Sequence, residues 1–546
     1  TYLPGTISVR NAAGQSLDPF SLRSYNFFVN GAAGVYSSKS NAKSAKADVT
    51  RKFFTDRFRS SLRVGAFTRE EFYTFRQASP NPVYVGPDGR ADSGDEGFAV
   101  APTDLLDAHL LSYRFPRGFP TPQFPSTRRA WELFKQSPQL FDTTINRRNE
   151  LSIDSRAATD ITERVDATYL MGDVSLFRNR LRLVAGVRYE RTTDDGLAVL
   201  QDNNAKYQRN PATGDVILDA QRRPILVTTD LIAQDALIYK KLGAHFRKHY
   251  GDYYPSLNAS YNITDNLIGR VGLARTLGRP DFTNLIGAAN VTQVDFDPAS
   301  ANSGAALGTI TTKNPALKPW TADNLDLQLE YYTRDGGQLS AGFTRKQIRN
   351  FFANRIFLAT PEFLASINLG SEFEGYQVTA PYNTAEIVHV NGWEFSASQP
   401  LASITRFEFA RYFRVFANTT IVRTMGGGEA NLRGFAPLTI NWGFNFNRRA
   451  LTFVGKWNLV GKKRLAPVAS ANLGAAGWTY QRERLRFDAS LDYRLTKRYA
   501  FYVTARNIFN DHDQTESYAP GSPRYVKVAT EGEYGVATQF GIRGDF

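Results

Sequence analysis

The chain has no cysteine among its 546 residues, and it has only two methionines and five histidines. The absence of thiols excludes disulfide frameworks, cysteine-based zinc sites, iron–sulfur clusters and thiol catalysis. No apolar run comes near the ~18 residues that a membrane-spanning helix needs, which excludes a helical membrane protein. A membrane β-barrel is not excluded, because alternating strands keep the mean hydropathy of such proteins low.

Enzyme motifs are missing as well. The sequence contains no GxSxG, no phosphate-binding loop and no GxGxxG that follows a strand and opens a helix. His245 and His249 are four residues apart, a spacing that would suit a shared metal ion on a helix, but no acidic partner is fixed by spacing. We therefore expect solvated loop histidines, and the sequence predicts no enzyme, no metal site and no cofactor.

The dominant pattern is a two-residue periodicity. In residues 484–495 the odd positions, from Leu485 to Leu495, are apolar, and the even positions, from Arg484 to Arg494, are polar or charged. Such alternation puts all apolar side chains of a strand on one face. Many of the predicted strands have ten or more residues, whereas strands of soluble domains have about 5–6 and membrane-crossing strands about 9–11. Further segments with the same alternation are 181–190, 257–263, 324–331 and 438–447.

Short and long connections alternate along the chain. Tight turns are predicted at 56–57, 178–179, 264–266, 334–336, 448–449 and 496–497. Long connections are predicted at 76–159, 195–251, 281–318 and 351–383, followed by shorter ones at 425–434, 463–478 and 511–528. This alternation is typical of a transmembrane, antiparallel, up-and-down β-barrel with about sixteen strands, the first of them at 22–30. We expect the whole chain, 1–546, to be barrel, with 76–159 a large extracellular loop insertion and 195–251 an extracellular loop.

The last predicted strand ends on an aromatic residue. Phe540, Ile542 and Phe546 fall on its apolar face. A terminal aromatic on such a strand resembles the insertion signal that bacterial outer-membrane barrels present to the β-barrel assembly machinery. If it is that signal, the strand runs towards the periplasm, and 511–528 is external.

Four segments together resemble the C-terminal part of TonB-dependent outer-membrane receptors. The run from Asn314 to Trp320 (NPALKPW), followed by the strand 324–332, is similar to the family's NPxLKPE segment, with Trp320 in place of the acidic residue. Residues 253–281 resemble a family hairpin with a basic, proline-containing exit. The run Val503 to Asn510 resembles the family's NLFN motif, and the closing strand to Phe546 is the fourth segment.

The resemblance implies an all-β barrel of about 22 strands with an N-terminal plug in its lumen. This chain has room for about sixteen strands and no recognisable plug or TonB-binding segment, so we expect it to be truncated. As a partial barrel it would leave two strand edges unpaired. The implied function is active uptake of a scarce nutrient (a ferric siderophore, cobalamin or an oligosaccharide) across the bacterial outer membrane. The implied partners are the TonB complex, acting through the missing plug, and the membrane lipids.

Two groups of side chains are candidates for ligand binding. Aromatic residues of the 76–159 insertion, including Tyr113, Phe115 and Trp131, could stack on ligand rings, although they could instead form a small core of the loop itself. Arg182, Arg188 and Arg270 fall on the polar, lumenal face, where they could meet an anionic ligand or pair with carboxylates of neighbouring strands.

The formal net charge is +14, but the basic residues are spread along strands and turns rather than gathered in one tract, which argues against a nucleic-acid partner. A basic exterior suits anionic lipopolysaccharide, and a basic lumen suits anionic ligands.

Two alternative functions remain open. A passive porin would be complete at about sixteen strands, and a secreted, soluble β-rich binding protein could also show alternating strands. Dependence on detergent would separate the soluble alternative from both membrane proteins.

Overall fold

The computed structural model consists mainly of long antiparallel strands. It describes residues 8–11, 14–21, 24, 35–55, 58–78, 83–90, 107, 120–142, 158–285, 289–293, 308–314, 317–367, 369–426, 434–467, 477–523 and 527–544.

Fifteen strands form the wall of the barrel within these residues. They are β1 (Val35–Phe54), β2 (Arg59–Ala78), β3 (Thr159–Leu176), β4 (Leu181–Asp202), β5 (Tyr239–Asn262), β6 (Leu267–Gly278), β7 (Trp320–Tyr332), β8 (Gln338–Arg349), β9 (Val388–Pro400), β10 (Phe413–Met425), β11 (Leu438–Arg448), β12 (Leu451–Val460), β13 (Arg484–Arg494), β14 (Tyr499–Arg506) and β15 (Ala537–Gly544).

The predicted antiparallel up-and-down architecture is confirmed. The strands follow one another around a barrel, and each of the fourteen junctions between consecutive strands carries a register of directly paired residues. Between β15 and β1 no such register occurs within the described residues. The strand order nevertheless closes the barrel by placing β15 beside β1. Outward side chains of these two strands are strongly exposed, with Val49 at 76% and Phe540 at 74%. The sixteenth predicted strand, 22–30, lies outside the described residues.

The connections alternate in length as predicted, with one exception. Short turns close one rim of the barrel, which we call the short-turn rim, and long connections leave the other, the long-loop rim. At the turn 177–180, Phe177, Arg178 and Asn179 all have positive φ, which lets β3 reverse tightly into β4. The exception is the connection from β9 to β10, where two 3₁₀ turns, Leu401–Ser403 and Glu408–Tyr412, lengthen the short-turn rim.

The outward face of the wall is apolar, and its apolar side chains pair directly with one another across neighbouring strands. Trp442 pairs directly with Trp457, and Trp457 with Phe487. The ring centroids are 6.2 Å apart in the first pair and 4.3 Å in the second. Exposed aliphatic residues continue this surface, for example Leu329, which is 46% exposed. A continuous apolar exterior of this kind is the surface that an acyl-chain environment stabilises.

The inward face is polar and is linked by side-chain hydrogen bonds. Asn458 donates to the Oδ1 atom of Asn441 over 2.6 Å, and Asn441 donates to the Oδ1 atom of Asn418 over 2.9 Å. The ladder crosses three strands at one level of the wall. The two faces therefore differ in polarity as the two-residue periodicity predicts.

Helices are short and lie in the connections. They are α1 (Thr127–Gln136), α2 (Leu231–Ile238), α3 (Phe282–Leu285) and α4 (Pro361–Ser366), with a 3₁₀ turn at Pro138–Leu140 and another at Ser371–Phe373. None of the helices in the described part of the chain has the length and apolar character needed to cross a bilayer.

Two small sheets cover part of the long-loop rim. The rim sheet continues from the end of β4 through strands Ala289–Gln293, Gly308–Thr311, Gln377–Asn383 and Phe352–Leu358. Its core includes Val291, Ile310, Leu364 and Phe373. The hairpin sheet consists of Lys463–Pro467, Trp478–Gln481, Asp513–Tyr518 and Val528–Gly532. Minor pairs of strands are Val9–Arg10 with Ser16–Leu17 and Val83–Tyr84 with Phe141–Asp142.

The long strands extend further than the periodicity predicts. β4 continues to Asp202 and β5 begins at Tyr239, so strand pairing covers both ends of the segment 195–251 that was predicted as loop. The unpaired middle holds a small hairpin with bridges such as Tyr207 to Leu226. Beyond the apolar belt the outward positions include charged residues, such as Arg191 and Asp195 on β4 and Arg247 on β5, and the alternation of polarity that reveals a strand is lost there.

Candidate ligand-binding site at the long-loop rim

The three predicted lumenal arginines lie on the inward face, and each contacts a carboxylate. Arg182 donates to Asp173 over 2.5 Å near the short-turn rim. Arg188 donates to Glu190 over 2.8 Å. Arg270 donates to Glu330 over 3.1 Å. These contacts match the alternative in which the arginines stabilise the wall, and their role in ligand binding stays a prediction.

Arg188 also borders a concave region of the inner wall. A cavity of about 490 Å³ is lined by Arg188, Arg63, Lys46 and aromatic side chains that include Phe67 and Tyr169. The Arg188 guanidinium lies 5.4 Å from the Phe67 ring centroid, and the Lys46 ammonium lies 5.8 Å from that of Tyr169. This cavity combines positive charge with aromatic faces on the path through the lumen.

A buried ionic cluster fixes the root of the 279–319 connection to the wall. Arg279 forms ion pairs with Glu190 and, at 3.7 Å, with Glu163. Lys248 donates to the carbonyl oxygen of Leu317 at the other end of the same connection. Because buried charges are costly unless they are paired, this cluster holds the connection in one position and serves as an anchor.

The 76–159 insertion contains a small folded unit within its described residues. Tyr84, Ala130 and Phe141 form its buried core. For Tyr84, Phe134 and Phe141 this core agrees with the alternative in which aromatics of the insertion make a core of their own; for the other aromatics of the insertion the two alternatives stay predictions. Trp131 lies on the exposed side of α1, 44% accessible, with its ring 5.2 Å from that of Phe134. Tyr113 and Phe115 lie outside the described residues, so their predicted role in ligand capture is untested.

The two histidines that were expected in a loop lie on a strand, so that expectation is wrong. His245 and His249 both belong to β5, where residues four apart are separated by about 13 Å. His245 instead contacts Asp195 at 3.0 Å. Two strand residues at that spacing cannot share one metal ion, and no group of three metal-binding side chains occurs among the residues that the model covers in detail.

Two of the three residues of the predicted insertion signal lie within the described residues. Phe540 and Ile542 lie on the outward face of β15, opposite Val503 and Phe501 of β14, and are 74% and 68% exposed. Phe546 lies outside the described residues. The outward placement of the first two is the arrangement that such a signal requires, and its recognition by an assembly machinery stays a prediction.

One face of the hairpin sheet gathers aromatic rings and cations. Trp478 pairs across the strands with Tyr518, and Tyr480 with Glu516, so these four side chains share a face. The rings of Tyr480 and Tyr518 stack with centroids 4.7 Å apart. All of its members are half-buried. We call this set the aromatic–cation face; its members are Lys462, Arg464, Trp478, Tyr480, Glu516, Tyr518 and Lys527.

Cations lie over each of these rings. The Lys462 ammonium is 4.9 Å from the Tyr480 centroid and 4.6 Å from that of Tyr518, and it donates to Glu516 over 2.6 Å. Lys527 lies 4.4 Å from the Tyr518 centroid. Arg464 lies 4.4 Å from the Trp478 centroid. The named members of the face are three cations and one carboxylate, that of Glu516, so the face can attract an anionic ligand and stack against a planar one.

The sequence does not reveal this face, because its residues come from two separate connections, 463–478 and 511–528, and from the residues that flank them. Each connection shows only one or two aromatic residues beside a cation, which is unremarkable by itself. A usable signal was present in the alternation of Trp478 and Tyr480, which predicts that both rings point to the same side of a strand.

Comparison with known protein families finds one whose model matches this sequence. The family model described as TonB dependent receptor-like, beta-barrel matches residues 3–508. No curated protein matches the sequence significantly.

Solved structures with a similar fold have little sequence in common with the chain. The siderophore receptor PiuA from Acinetobacter baumannii has a TM-score of 0.51 at 13% identity, covering 93% of this chain and 56% of its own. The ferric-catecholate import receptor Fiu from E. coli K12 has a TM-score of 0.50 at 12% identity, with 93% and 55% covered. The ferric citrate transporter FecA has a TM-score of 0.50 at 11% identity, with 94% and 56% covered.

The chain thus spans little more than half the length of these structures. At such low identity the likeness concerns the fold alone, whereas the family model matches most of the sequence. On that match, the chain belongs to the TonB-dependent receptor family, as part of its β-barrel domain.

Proposed function

We propose that this chain forms the barrel of a receptor that takes up a scarce nutrient across the bacterial outer membrane, with energy transmitted by TonB. The family membership supports this class of function. In this proposal the long-loop rim faces the exterior, and the connections 76–159 and 195–251 are extracellular. The TonB complex acts through a plug, and the outward residues of β15 are read by the β-barrel assembly machinery.

The observation that carries the ligand assignment is the aromatic–cation face at the long-loop rim. Its excess of cations favours an anionic ligand, and its stacked rings favour a planar one. Among a ferric siderophore, cobalamin and an oligosaccharide, an anionic ferric chelate fits best, since sugars offer no negative charge for Lys462, Arg464 and Lys527. Two proteins of similar fold, a ferric-catecholate import receptor and a ferric citrate transporter, agree with this choice by their names.

Binding can be measured on the purified protein in detergent by quenching of tryptophan fluorescence. The probes are a ferric tris-catecholate, ferric citrate, cyanocobalamin and a maltooligosaccharide. We expect saturable binding of a ferric chelate and a Kd raised about tenfold by Lys462→Met, which corresponds to ~1.4 kcal/mol. Thr479→Val is the matched control, because Thr479 lies between Trp478 and Tyr480 on their strand but on its opposite face, where it contacts Ser517 at 3.0 Å.

Two outcomes would contradict the proposal. One is the absence of binding by both ferric chelates while cobalamin or the oligosaccharide binds. The other is an equal loss of affinity in Lys462→Met and Thr479→Val. Uptake by cells that express the protein, with and without a functional TonB complex, separates active transport from a passive porin, since a porin needs no TonB.

A further inference from the structure

A carboxylate without a hydrogen-bond donor is buried where the 279–319 connection meets the wall. Asp194 of β4 is 1% exposed, and neither of its carboxylate oxygens accepts a hydrogen bond from a described residue. Its side chain points inward, about 16 Å of strand beyond Tyr189, the last residue of the apolar belt on β4. An ionised carboxylate is costly at such a place, so the protonation state of Asp194 is coupled to whatever covers it.

Groups of both charges surround Asp194 at one level of the wall. Glu163 of β3 and Lys248 of β5 lie directly opposite it in the strand register. Arg279, at the start of the connection, forms ion pairs with Glu163 and Glu190. The charged and titratable groups that face the Asp194 carboxylate are Glu163, Lys248, Tyr250 and Arg279, with Lys318 next to Lys248.

The connection itself covers these groups. Leu285 and Leu317 of the connection form one buried core with Ile161 and Phe246. Ile161 and Phe246 are the next inward positions on β3 and β5 beyond Glu163 and Lys248. Lifting of the connection would therefore open the surroundings of Asp194 to water.

The same connection carries part of the rim sheet. The strands Ala289–Gln293 and Gly308–Thr311 lie between its two ends. The backbone N–H of Asn314 donates to the carbonyl oxygen of Asn284 over 3.1 Å and joins these ends. Movement at the root of the connection would therefore displace two strands of the rim sheet.

The direction of the pH dependence follows from the burial of the carboxylate. Burial raises the pKa of Asp194 to about 7; Glu163 adds to the rise, and Lys248 and Arg279 oppose it. In water the ordinary pKa is 3.8. The docked connection therefore holds one more proton than the lifted one between about pH 4 and pH 7, and docking weakens as the pH rises through this range.

The neighbouring groups do not reverse this direction. Burial also raises the pKa of Glu163, which acts in the same direction as Asp194. Burial lowers the pKa of Lys248 to about 8, so its opposite effect belongs to the range above pH 8. His245 and His249 are on the outward face of β5, away from the cluster.

We propose that Asp194 and the groups around it form a proton-operated latch, which holds the 279–319 connection against the wall in mild acid and loosens it near neutral pH. The long-loop rim is then more open at pH 7.5 than at pH 5.5. The latch concerns the rim sheet rather than the aromatic–cation face, so it does not depend on which ligand the receptor binds.

Hydrogen–deuterium exchange on the purified full chain in detergent, without ligand, tests the latch. The readout is the protection of the amides at 281–285 and 312–314, measured relative to the intrinsic exchange rate at each pH. From the two pKa values of Asp194, we expect the wild type to be about 20-fold better protected at pH 5.5 than at pH 7.5. Asp194→Asn should lose most of this difference and, at pH 7.5, should approach the protection of the wild type at pH 5.5, because the amide resembles the protonated carboxylate.

Two further variants make the test specific. Asp195→Asn is the matched control, because Asp195 is the next residue on β4, is half-exposed and points outward, where it contacts His245; it should keep the dependence of the wild type. Lys248→Met removes a cation that favours the ionised carboxylate of Asp194, so the midpoint of the change in protection should move to higher pH.

Equal protection of the wild type at both pH values would overturn the proposal. So would lower protection of Asp194→Asn at both pH values, since the carboxylate would then have a structural role only. An unchanged midpoint in Lys248→Met contradicts the latch even if Asp194→Asn fails to fold. Because no chelate is present, a failure of the latch and a failure of the proposed ligand binding are seen in separate experiments.

Discussion

An arginine at Leu327 should destabilise the barrel strongly, whereas an arginine at the next residue should not. Leu327 is on the outward face of β7, 41% exposed, and pairs with Val271 and Phe343 on the neighbouring strands. Tyr331 and Asp323 lie four residues to either side, so about 13 Å of strand separates Leu327 from each end of the apolar belt. Leu327 therefore lies at the middle of the surface that we assign to acyl chains.

The expected cost follows from that depth. Arginine at the bilayer midplane of a membrane barrel costs about 2–4 kcal/mol, which is roughly 30- to 700-fold in the unfolding equilibrium. Gln328 is exposed on the inward face, and arginine there should cost less than about 1 kcal/mol. Arg270 lies directly opposite Gln328, so an arginine at 328 would be repelled by Arg270. This repulsion can only raise the cost of the control substitution, which makes the comparison conservative.

Equilibrium unfolding by guanidinium in phosphatidylcholine vesicles, followed by tryptophan fluorescence, gives the two free energies. The reasoning is refuted if Leu327→Arg lowers the free energy of unfolding by no more than Gln328→Arg. A reversed order would mean that the apolar face packs against protein and that the polar face meets the lipid.

Three further predictions concern other parts of the chain. Arg270→Met should lower the free energy of unfolding by about 1–2 kcal/mol, because the Glu330 side chain, only 10% exposed, loses its cation. The double variant Arg270→Met/Glu330→Gln should recover part of this loss, and no recovery would contradict the pairing. Hydrogen bonds from the backbone N–H of Arg223 hold the pKa of Asp219 below its ordinary value of 3.8. Their stabilisation is present above pH 3.8 and is lost as the pH falls through the folded pKa. Between pH 6 and pH 2, the protection of the amides at 217–225, measured relative to the intrinsic exchange rate at each pH, should therefore fall more in the wild type than in Asp219→Asn. In single-tryptophan variants, brominated acyl chains should quench Trp457 on the outward wall but not the tryptophan of the aromatic–cation face, and equal quenching would contradict the placement.

The barrel wall could be predicted from the sequence because its physical cause is local. A strand between lipid and water needs apolar residues at every second position, and residues 484–495 show this without interruption. Fifteen of the sixteen predicted strands overlap a strand of the structure. The predicted strand ends are less accurate where the outward positions become charged. One example is β5, which begins at Tyr239 rather than near residue 253.

The rim sheet could not be predicted by the same argument. Gly308–Thr311 pairs in parallel with Gln377–Asn383, and residues so far apart in sequence leave no local signal of their pairing. The connection from Leu401 to Tyr412 at the short-turn rim falls between two predicted strands, 385–399 and 412–424, but its 3₁₀ turns could not be predicted because they follow no two-residue pattern.

The candidate site was predicted only in part. Arg182, Arg188 and Arg270 are inward as predicted, since their side follows from strand parity. Their carboxylate partners lie two residues along the same strand, for Arg188, or on a neighbouring strand, for the other two. The aromatic–cation face needed the pairing of two connections that the sequence does not reveal. Periodicity identifies a face, whereas a binding site depends on which strands and loops meet.

The central claim is that the apolar face of the wall contacts acyl chains and that the polar face lines water. The absence of cysteine in the wild type allows a nitroxide label to be attached at one introduced thiol at a time along β7, from residue 323 to residue 331. In vesicles, we predict that labels at odd positions such as Leu327 collide more with apolar oxygen, and labels at even positions such as Gln328 collide more with a water-soluble nickel complex. The same accessibility at both sets of positions, or the opposite alternation, would contradict the account.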